Sequence, residues 1–86
     1  MVVDRHLDGN ALAGVLHDIF GREMTNENGC CAQCGAVNAL GAVHVYRAAG
    51  DVVRCPSCGS VLVVIVQHVD GLRVSFESIR WLQTTG

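Results

Sequence analysis

Lysine is missing from this chain of 86 residues, and aromatic residues are scarce, with one Trp, one Tyr and two Phe. Six arginines are outnumbered by eight acidic residues, which gives a formal net charge of −2. Non-specific nucleic-acid binding depends on neutralising phosphates, so this charge argues against it. The longest unbroken aliphatic run, residues 61–66, is far too short to span a bilayer. We therefore expect no membrane partner and only weak support for nucleic-acid binding.

Catalytic arrangements are also missing. The sequence shows no Ser/His/Asp arrangement, no glycine-rich phosphate loop and no paired carboxylates, so we predict that the protein is not an enzyme. Residues 1–6 include charged side chains and lack the long apolar stretch of a secretory signal, which favours a cytoplasmic location.

What the chain does contain is two copies of Cys-x-x-Cys-Gly, at residues 31–35 and 55–59. Two such pairs fill the four tetrahedral positions that zinc prefers, and this spacing in an intracellular chain favours metal over disulfides. Glycine after the second cysteine suits the left-handed backbone of a metal-binding turn. We therefore predict one structural Zn²⁺ held by Cys31, Cys34, Cys55 and Cys58. Four thiolates leave no open position for hydrolytic chemistry.

Three other residues are conceivable ligands. Cys30 directly precedes Cys31, but only Cys31 gives two matching turns, so Cys30 is expected to be a bystander. A redox role for Cys30 is a weaker alternative. His44 and His68 lie in alternating apolar runs, where a histidine is more commonly a strand residue than a ligand. Iron in the same four-thiolate cage is the alternative to zinc.

Residues 8–20 predict an amphipathic helix. Asp8 is a good N-cap, and Gly21 suits the C-terminal end. The apolar residues recur on a single face: Ala11, Leu12, Val15, Leu16, Ile19 and Phe20. We expect a small α+β fold in which a helical arm, residues 1–22, packs on a cysteine-bearing antiparallel β module, residues 23–86, as a single compact domain.

Alternation of apolar and polar residues predicts a hairpin between the two cysteine pairs. Residues 42–47 form its first strand, residues 48–51 turn the chain, and residues 52–54 return. Several registers would bring Arg47 and Arg54 close enough to grip a phosphate or carboxylate. Two solvated arginines that bind nothing specific are the commoner outcome.

A second hairpin is predicted from residues 60–69 and 72–77, joined by Asp70-Gly71. A two-residue turn there would place Val69 opposite Leu72. One face of this hairpin forms an apolar bed for the helix: Val61, Val63, Ile65, Val69, Leu72, Val74 and Phe76. The other face carries a surplus of apolar residues: Leu62, Val64 and Val66. Either the N-terminal arm and the tail around Ile79, Trp81 and Leu82 fold over them, or a partner protein or a second copy covers them.

The two Cys-x-x-Cys-Gly turns joined by a hairpin resemble the zinc-ribbon superfamily over residues 24–77. The opening residues 6–14, His-Leu-Asp-Gly-Asn-Ala-Leu-Ala-Gly, together with residues 54–59, Arg-Cys-Pro-Ser-Cys-Gly, are similar to a family of short uncharacterised actinobacterial proteins of unknown function. The resemblance implies Cys31, Cys34, Cys55 and Cys58 as metal ligands and implies no substrate. Cys30 departs from the pattern.

Zinc ribbons serve as docking modules, so an adaptor that binds a protein or nucleoprotein surface is the first functional hypothesis. The second is a nucleic-acid-binding ribbon, whose candidate residues are Arg47, Arg54, Arg73, Arg80, Tyr46 and Trp81. The third is a rubredoxin-like iron redox protein, although the aromatic packing common around such centres is sparse here.

Overall fold

A computed structural model describes residues 6–47 and 49–83, and it confirms a small α+β fold with antiparallel sheets and one α-helix. The strands are β1 Leu7–Asp8, β2 Asn28–Cys31, β3 Val37–Ala39, β4 His44–Arg47, β5 Asp51–Arg54, β6 Val61–His68, β7 Gly71–Phe76 and β8 Ile79–Leu82. The large sheet has the order β1-β4-β5-β6-β7, and the small sheet has the order β3-β2-β8. Among the residues that the structure describes, no helix combines the length and the apolar character that crossing a bilayer requires.

The helical segment begins and ends where its capping residues predict. The Asp8 carboxylate accepts from the Asn10 amide, and Gly21 adopts the left-handed conformation, with φ of 73°. The first turn, Gly9–Leu12, is a 3-10 helix, and the α-helix α1 spans Ala13–Phe20. A Cβ on Gly9 would collide with the Leu40 carbonyl oxygen, so glycine permits the close approach of this turn to a second 3-10 helix, Leu40–Ala42, which lies between β3 and β4.

The hairpin between the cysteine pairs forms as β4 and β5, although Ala48 of its predicted turn lies outside the described residues. Its register pairs Arg47 with Asp51 and His44 with Arg54. Arg47 and Arg54 therefore lie at opposite ends of the hairpin, and the less favoured alternative, a two-arginine grip, is wrong. The Arg47 Nε atom lies 3.2 Å from the Asp51 carboxylate.

The second hairpin forms as β6 and β7, but its register differs by two residues from the prediction. His68 pairs with Gly71 and Ile65 with Val74, so Val69 and Asp70 make the turn. No residue other than glycine has positive φ in the described part of the chain, whereas an Asp-Gly type I′ turn would need positive φ at Asp70. Val69 is consequently fully exposed at the tip instead of packing under the helix.

Because a shift of two residues preserves the alternation of a strand, the helix still meets the predicted face. Val63, Ile65, Val74 and Phe76 line one apolar cavity together with Leu12, Leu16, Ile19 and Phe20 of the helical segment. Ile79 and Leu82 of β8 line the same cavity. The tail therefore covers the helix side of the large sheet, so the alternative in which it covers the opposite side is wrong.

The face of the large sheet turned away from α1 is called the outer face. It carries the cross-strand row Tyr46, Val52, Val64 and Ser75, and all but Ser75 are partly buried. Leu62 does not belong to it. The register shifts at Leu62 because Val53 pairs with Val63 but Arg54 pairs with Val61, and Leu62, 6% exposed, joins the buried core. The prediction that Leu62 lies on the apolar surface left for a partner is therefore wrong.

Candidate metal centre

Each Cys-x-x-Cys-Gly segment forms a tight turn, called here the first knuckle, Cys31–Gly35, and the second knuckle, Cys55–Gly59. The Gly35 amide donates to the Cys31 carbonyl at 3.0 Å, and the Gly59 amide donates to the Cys55 carbonyl at 2.8 Å. The two glycines have φ of 77° and 78°, a conformation that residues with a Cβ rarely adopt. Glycine therefore has a conformational role at the end of each knuckle.

The two knuckles bring their four thiols together. The sulfur atoms of Cys31, Cys34, Cys55 and Cys58 all lie within 4.8 Å of one another. Between knuckles, Cys31 Sγ lies 3.6 Å from Cys58 Sγ, and Cys34 Sγ lies 3.7 Å from Cys55 Sγ. All four cysteines are free, and these separations are far longer than the S–S bond of about 2.05 Å in a disulfide.

A tetrahedral metal fits this arrangement. Zinc–sulfur bonds of about 2.3 Å place the corners of a sulfur tetrahedron about 3.8 Å apart. The two measured separations, 3.6 Å and 3.7 Å, agree closely with that edge. The four residues are the ligands that the sequence predicts, and they can hold one metal ion.

The knuckles belong to different sheets. Cys31 ends β2 of the small sheet, whereas Cys55 directly follows β5 of the large sheet. In both knuckles the first cysteine is buried and the second is exposed. An ion bound by the four sulfurs would therefore cross-link the two sheets, with one side of the cluster facing solvent.

Polar groups around the cluster affect its thiols unequally. The Ser60 hydroxyl, 3.2 Å from Cys58 Sγ, and the Ser60 amide lower the pKa of the Cys58 thiol to about 6. The Ala36 amide lowers the pKa of the Cys34 thiol, but desolvation and the three neighbouring thiols outweigh it and raise this pKa to about 12. Without a metal, a thiolate at Cys58 therefore favours the protonated form of the neighbouring Cys34 thiol. A divalent cation reverses this preference, because it favours thiolate at every ligand.

Cys30 lies outside the cluster. Its side chain is 6% exposed, and its sulfur lies 3.6 Å from the Gly35 carbonyl oxygen and 3.7 Å from that of Cys31. The corresponding residue before the second knuckle is Arg54, whose guanidinium donates to the Gly59 carbonyl at 2.8 Å. The two residues that precede the knuckles therefore contact equivalent glycine carbonyls, a relation that the sequence did not reveal.

The two histidines considered as ligands are also separate from the cluster. His44 stacks on His6 with ring centroids 3.9 Å apart, and His68 ends β6 in an exposed position. Among the described residues, the four cysteines are the group of His, Cys, Asp and Glu side chains arranged to hold a metal. The histidines therefore add no ligand.

The side chains of His6, His44, Tyr46 and Arg54 form a polar and aromatic group on the outer face. Of these four residues, the sequence analysis proposed only Tyr46 and Arg54 for a binding surface. His6 lies 5.6 Å from Tyr46 between ring centroids, and Arg54 lies 5.8 Å from the centroid of the same tyrosine ring. The alternation of His44 and Tyr46 along β4 is the signal that places both on one face. His6 could not be found in this way, because it was assigned to the helical arm, residues 1–22, and no strand was predicted there.

The fold and the thiol cluster define a small α+β domain with two zinc-ribbon-like cysteine knuckles. The chain belongs to DUF6510, a family of unknown function, whose family model matches residues 3–86. No curated protein and no solved structure matches the chain significantly.

Proposed function

We propose that the protein is a non-catalytic docking module stabilised by one structural Zn²⁺ bound to Cys31, Cys34, Cys55 and Cys58. The observation that carries the metal assignment is the separation of sulfurs across the knuckles, 3.6 Å and 3.7 Å, which suits a tetrahedral zinc site. We also propose that the protein is related to the zinc-ribbon superfamily and to its actinobacterial members.

A structural role follows from the donor set. Four thiolates complete the tetrahedral shell, so the ion has no open position at which water could be activated. Structural zinc contributes on the order of 10 kcal/mol in small domains, which exceeds the stability expected from a core of this size. A reducing cytoplasm, where we expect the protein, keeps these thiols available for metal.

The metal assignment is tested by elemental analysis of protein purified under reducing conditions. We expect one zinc per chain, and we expect a chelator to abolish the cooperative thermal transition. The absorption spectrum separates zinc from iron, since an iron tetrathiolate absorbs visible light and the zinc centre is colourless. Fully folded protein without any metal would contradict the proposal.

The docking role rests on the outer face of the large sheet. Val64 and Val66 keep part of their apolar surface exposed there, on the side opposite α1. Neighbouring Tyr46 and Arg54 are residue types enriched at protein interfaces. The partner that this surface fits is a protein or a nucleoprotein with a complementary apolar patch.

A charge placed on the outer face tests this role. Val64→Asp should abolish capture of the partner from a native lysate without changing the zinc content. Val69→Asp, at the fully exposed hairpin tip, is the matched control and should capture as well as the unaltered protein. The docking role fails if Val64→Asp and the unaltered protein recover the same set of proteins, or if the unaltered protein recovers none.

Single-stranded nucleic acid is the second candidate, favoured by the group of His6, His44, Tyr46 and Arg54 on the outer face. Aromatic rings stack on bases, and arginine contacts phosphates. Titration with a labelled single-stranded RNA at low salt should then show salt-sensitive binding that Tyr46→Ala weakens. Trp81→Ala, on β8 of the small sheet, is the control and should leave binding unchanged. Absence of salt-sensitive binding dismisses this candidate.

A further inference from the structure

One edge of the large sheet is long, exposed and partly apolar. β7, Gly71–Phe76, is its last strand, and no strand in the described part of the chain pairs with the outer edge of β7. Arg73, Ser75 and Glu77 are exposed, and Phe76 keeps 51% of its surface accessible. The other terminal strands, β1, β3 and β8, have two, three and four residues. Proteins rarely leave a long apolar edge unprotected, because it readily pairs with another strand.

The backbone groups available at this edge follow from the hairpin register. His68 and Gly71 flank the two-residue turn, where the hydrogen-bonded pair lies, and the Glu77 amide, six residues on, donates to the Leu62 carbonyl of β6 at 2.7 Å, so Gly71 and Glu77 both direct their hydrogen-bonding groups toward β6. The Ser78 amide also donates to β6, at the Val61 carbonyl, so the regular alternation ends at Glu77. In an antiparallel sheet, successive residues direct these groups to alternate sides. The amides and carbonyls of Val74 and Phe76 therefore point outward. Their side chains lie on the helix side of the sheet, where both line the apolar cavity.

The residues along this edge are complementary to themselves. If two copies of β7 run antiparallel with Ser75 opposite Ser75, then Arg73 of each copy lies opposite Glu77 of the other. In the same register, Val74 of each copy lies opposite Phe76 of the other. The outward-pointing groups of Val74 and Phe76 are then correctly placed to exchange two hydrogen bonds at each end of the pairing.

We propose that β7 is a homodimerisation edge, at which a second copy of this chain pairs in the Ser75-centred register. Arg73 and Glu77 form two symmetric ion pairs on the outer face, in the closely spaced positions that do not share backbone hydrogen bonds. Phe76 packs against Val74 of the second copy on the helix side. The two large sheets join into one continuous sheet, and the pairing closes because the contact is two-fold symmetric.

Charge selects this register over its neighbour. Centring the pairing on Val74 also satisfies the outward backbone groups, but it places Arg73 opposite Ser75 and Glu77 opposite Gly71. Both charges would then lack a partner directly across the interface. Neither Arg73 nor Glu77 is tied to another described residue in an ion pair of the structure, so both side chains are available. This inference does not depend on the identity of the metal or of a docking partner.

Charge-reversal variants test the register directly. Sedimentation of reduced protein at about 100 µM should show a dimer for the unaltered chain, the concentration range at which a weak interface is populated. Arg73→Glu and Glu77→Arg should each weaken self-association at least about tenfold, because two attractive contacts become repulsive. Mixed together, the two variants should form a one-to-one heterodimer, since every facing pair is then of opposite charge.

Two further variants separate the contribution of the facing charges from that of the backbone hydrogen bonds. The double variant Arg73→Glu with Glu77→Arg should regain the dimer, because its facing charges are complementary again. Val74→Pro removes an amide that β6 does not use, so the chain should fold and remain monomeric. An unaltered protein that is monomeric at this concentration overturns the proposal. Self-association that the single reversals do not weaken, or a mixture that stays monomeric, overturns the Ser75-centred register.

Control measurements keep these outcomes interpretable. Each variant should bind the same amount of metal per chain and have the same circular dichroism spectrum as the unaltered protein. A reducing agent is required because Cys34 and Cys58 are exposed and could form a disulfide-linked dimer. A dimer that disappears on reduction is of that kind and contradicts the edge pairing.

Discussion

The two knuckles have nearly the same backbone although they are attached to different sheets. The backbone amide of the first cysteine closes each turn: the Cys31 amide donates to the Ala36 carbonyl and the Cys55 amide donates to the Ser60 carbonyl, both at 2.9 Å. The glycines differ in φ by one degree, 77° against 78°. The same five-residue motif thus forms the same turn, and the same half of the metal site, after two different strands.

The differences between the knuckles lie in side chains. The residue after the first knuckle is Ala36, whereas the residue after the second is Ser60, whose hydroxyl oxygen lies 3.2 Å from Cys58 Sγ. The residue before the first knuckle is Cys30, and the residue before the second is Arg54. The backbone therefore determines the geometry of the cluster. At Cys58, the Ser60 hydroxyl adds to the effects that backbone amides, burial and neighbouring thiols have on the pKa values of Cys58 and Cys34, and the residues that precede the knuckles hold the two turns through different side-chain contacts.

Removing any one of the four clustered thiols should have the largest effect. Cys31→Ser and Cys55→Ser should lose the metal equally, because the site needs both halves and its binding contributes on the order of 10 kcal/mol to folding. Elemental analysis and thermal unfolding measure the two consequences. Cys30→Ser is the matched control and should keep one metal per chain. A Cys31→Ser protein that retains its metal would show that Cys30 can replace Cys31.

Substituting the knuckle glycines should have a moderate and equal effect. Gly35→Ala and Gly59→Ala each place a Cβ in open space, so their cost comes from the left-handed backbone and should be about 1–2 kcal/mol. Gly14→Ala is the control, since its Cβ also meets nothing while the site lies inside α1, where alanine should stabilise by about 0.5–1 kcal/mol. Chemical denaturation of the holo-protein provides the comparison. Unequal costs at positions 35 and 59 would disprove the equivalence of the knuckles.

The metal-site geometry could be predicted because its determinants are local. Cys-x-x-Cys-Gly specifies its own turn, and Asp8 and Gly21 likewise delimited the helical segment from their capping preferences. The small sheet could not be predicted in this way. Its strands have only three or four residues, and β2 contains Gly29 and two cysteines, which give no alternating pattern. Pairing of β2 with β8 also joins residues distant in sequence.

Register and bulges were the other failures, and both depend on non-local packing. Asp70-Gly71 is a strong local signal for a two-residue turn, yet the chain turns at Val69-Asp70 so that His68 pairs with Gly71. Leu62 was assigned to the outer face by strict alternation, but an irregularity beside the second knuckle moves it into the core. The extra residue of a β-bulge cannot be predicted from the periodicity of the sequence.

Single substitutions at positions 36 and 60 should shift the pH at which the site releases its metal by a fraction of a pH unit. The Ser60 hydroxyl lowers the pKa of Cys58, which favours the thiolate that binds metal. Its contribution is present at high pH and is lost as the pH falls through the lowered pKa, about 6. Ser60→Ala should therefore release metal at a higher pH, and Ala36→Ser at a lower pH. A zinc-indicator dye measures both midpoints, and shifts of the same sign would refute this role of the hydroxyl.

The smallest effects are expected from the residues that precede the knuckles. Arg54→Ala removes a charged donor from the Gly59 carbonyl, whereas Cys30→Ala removes only a weak thiol contact to the Gly35 carbonyl. Because the Gly59 carbonyl is exposed and water can replace the lost donor, Arg54→Ala should cost at most about 1 kcal/mol.

Cys30→Ala leaves a small cavity in a buried position and should cost a similar amount for a different reason. Serine distinguishes the two reasons, since Cys30→Ser restores a donor to Gly35 without restoring the lost volume. Denaturation of Cys30→Ser and Cys30→Ala should give equal stabilities if packing dominates, and a more stable serine variant would instead show that the glycine carbonyl needs its donor.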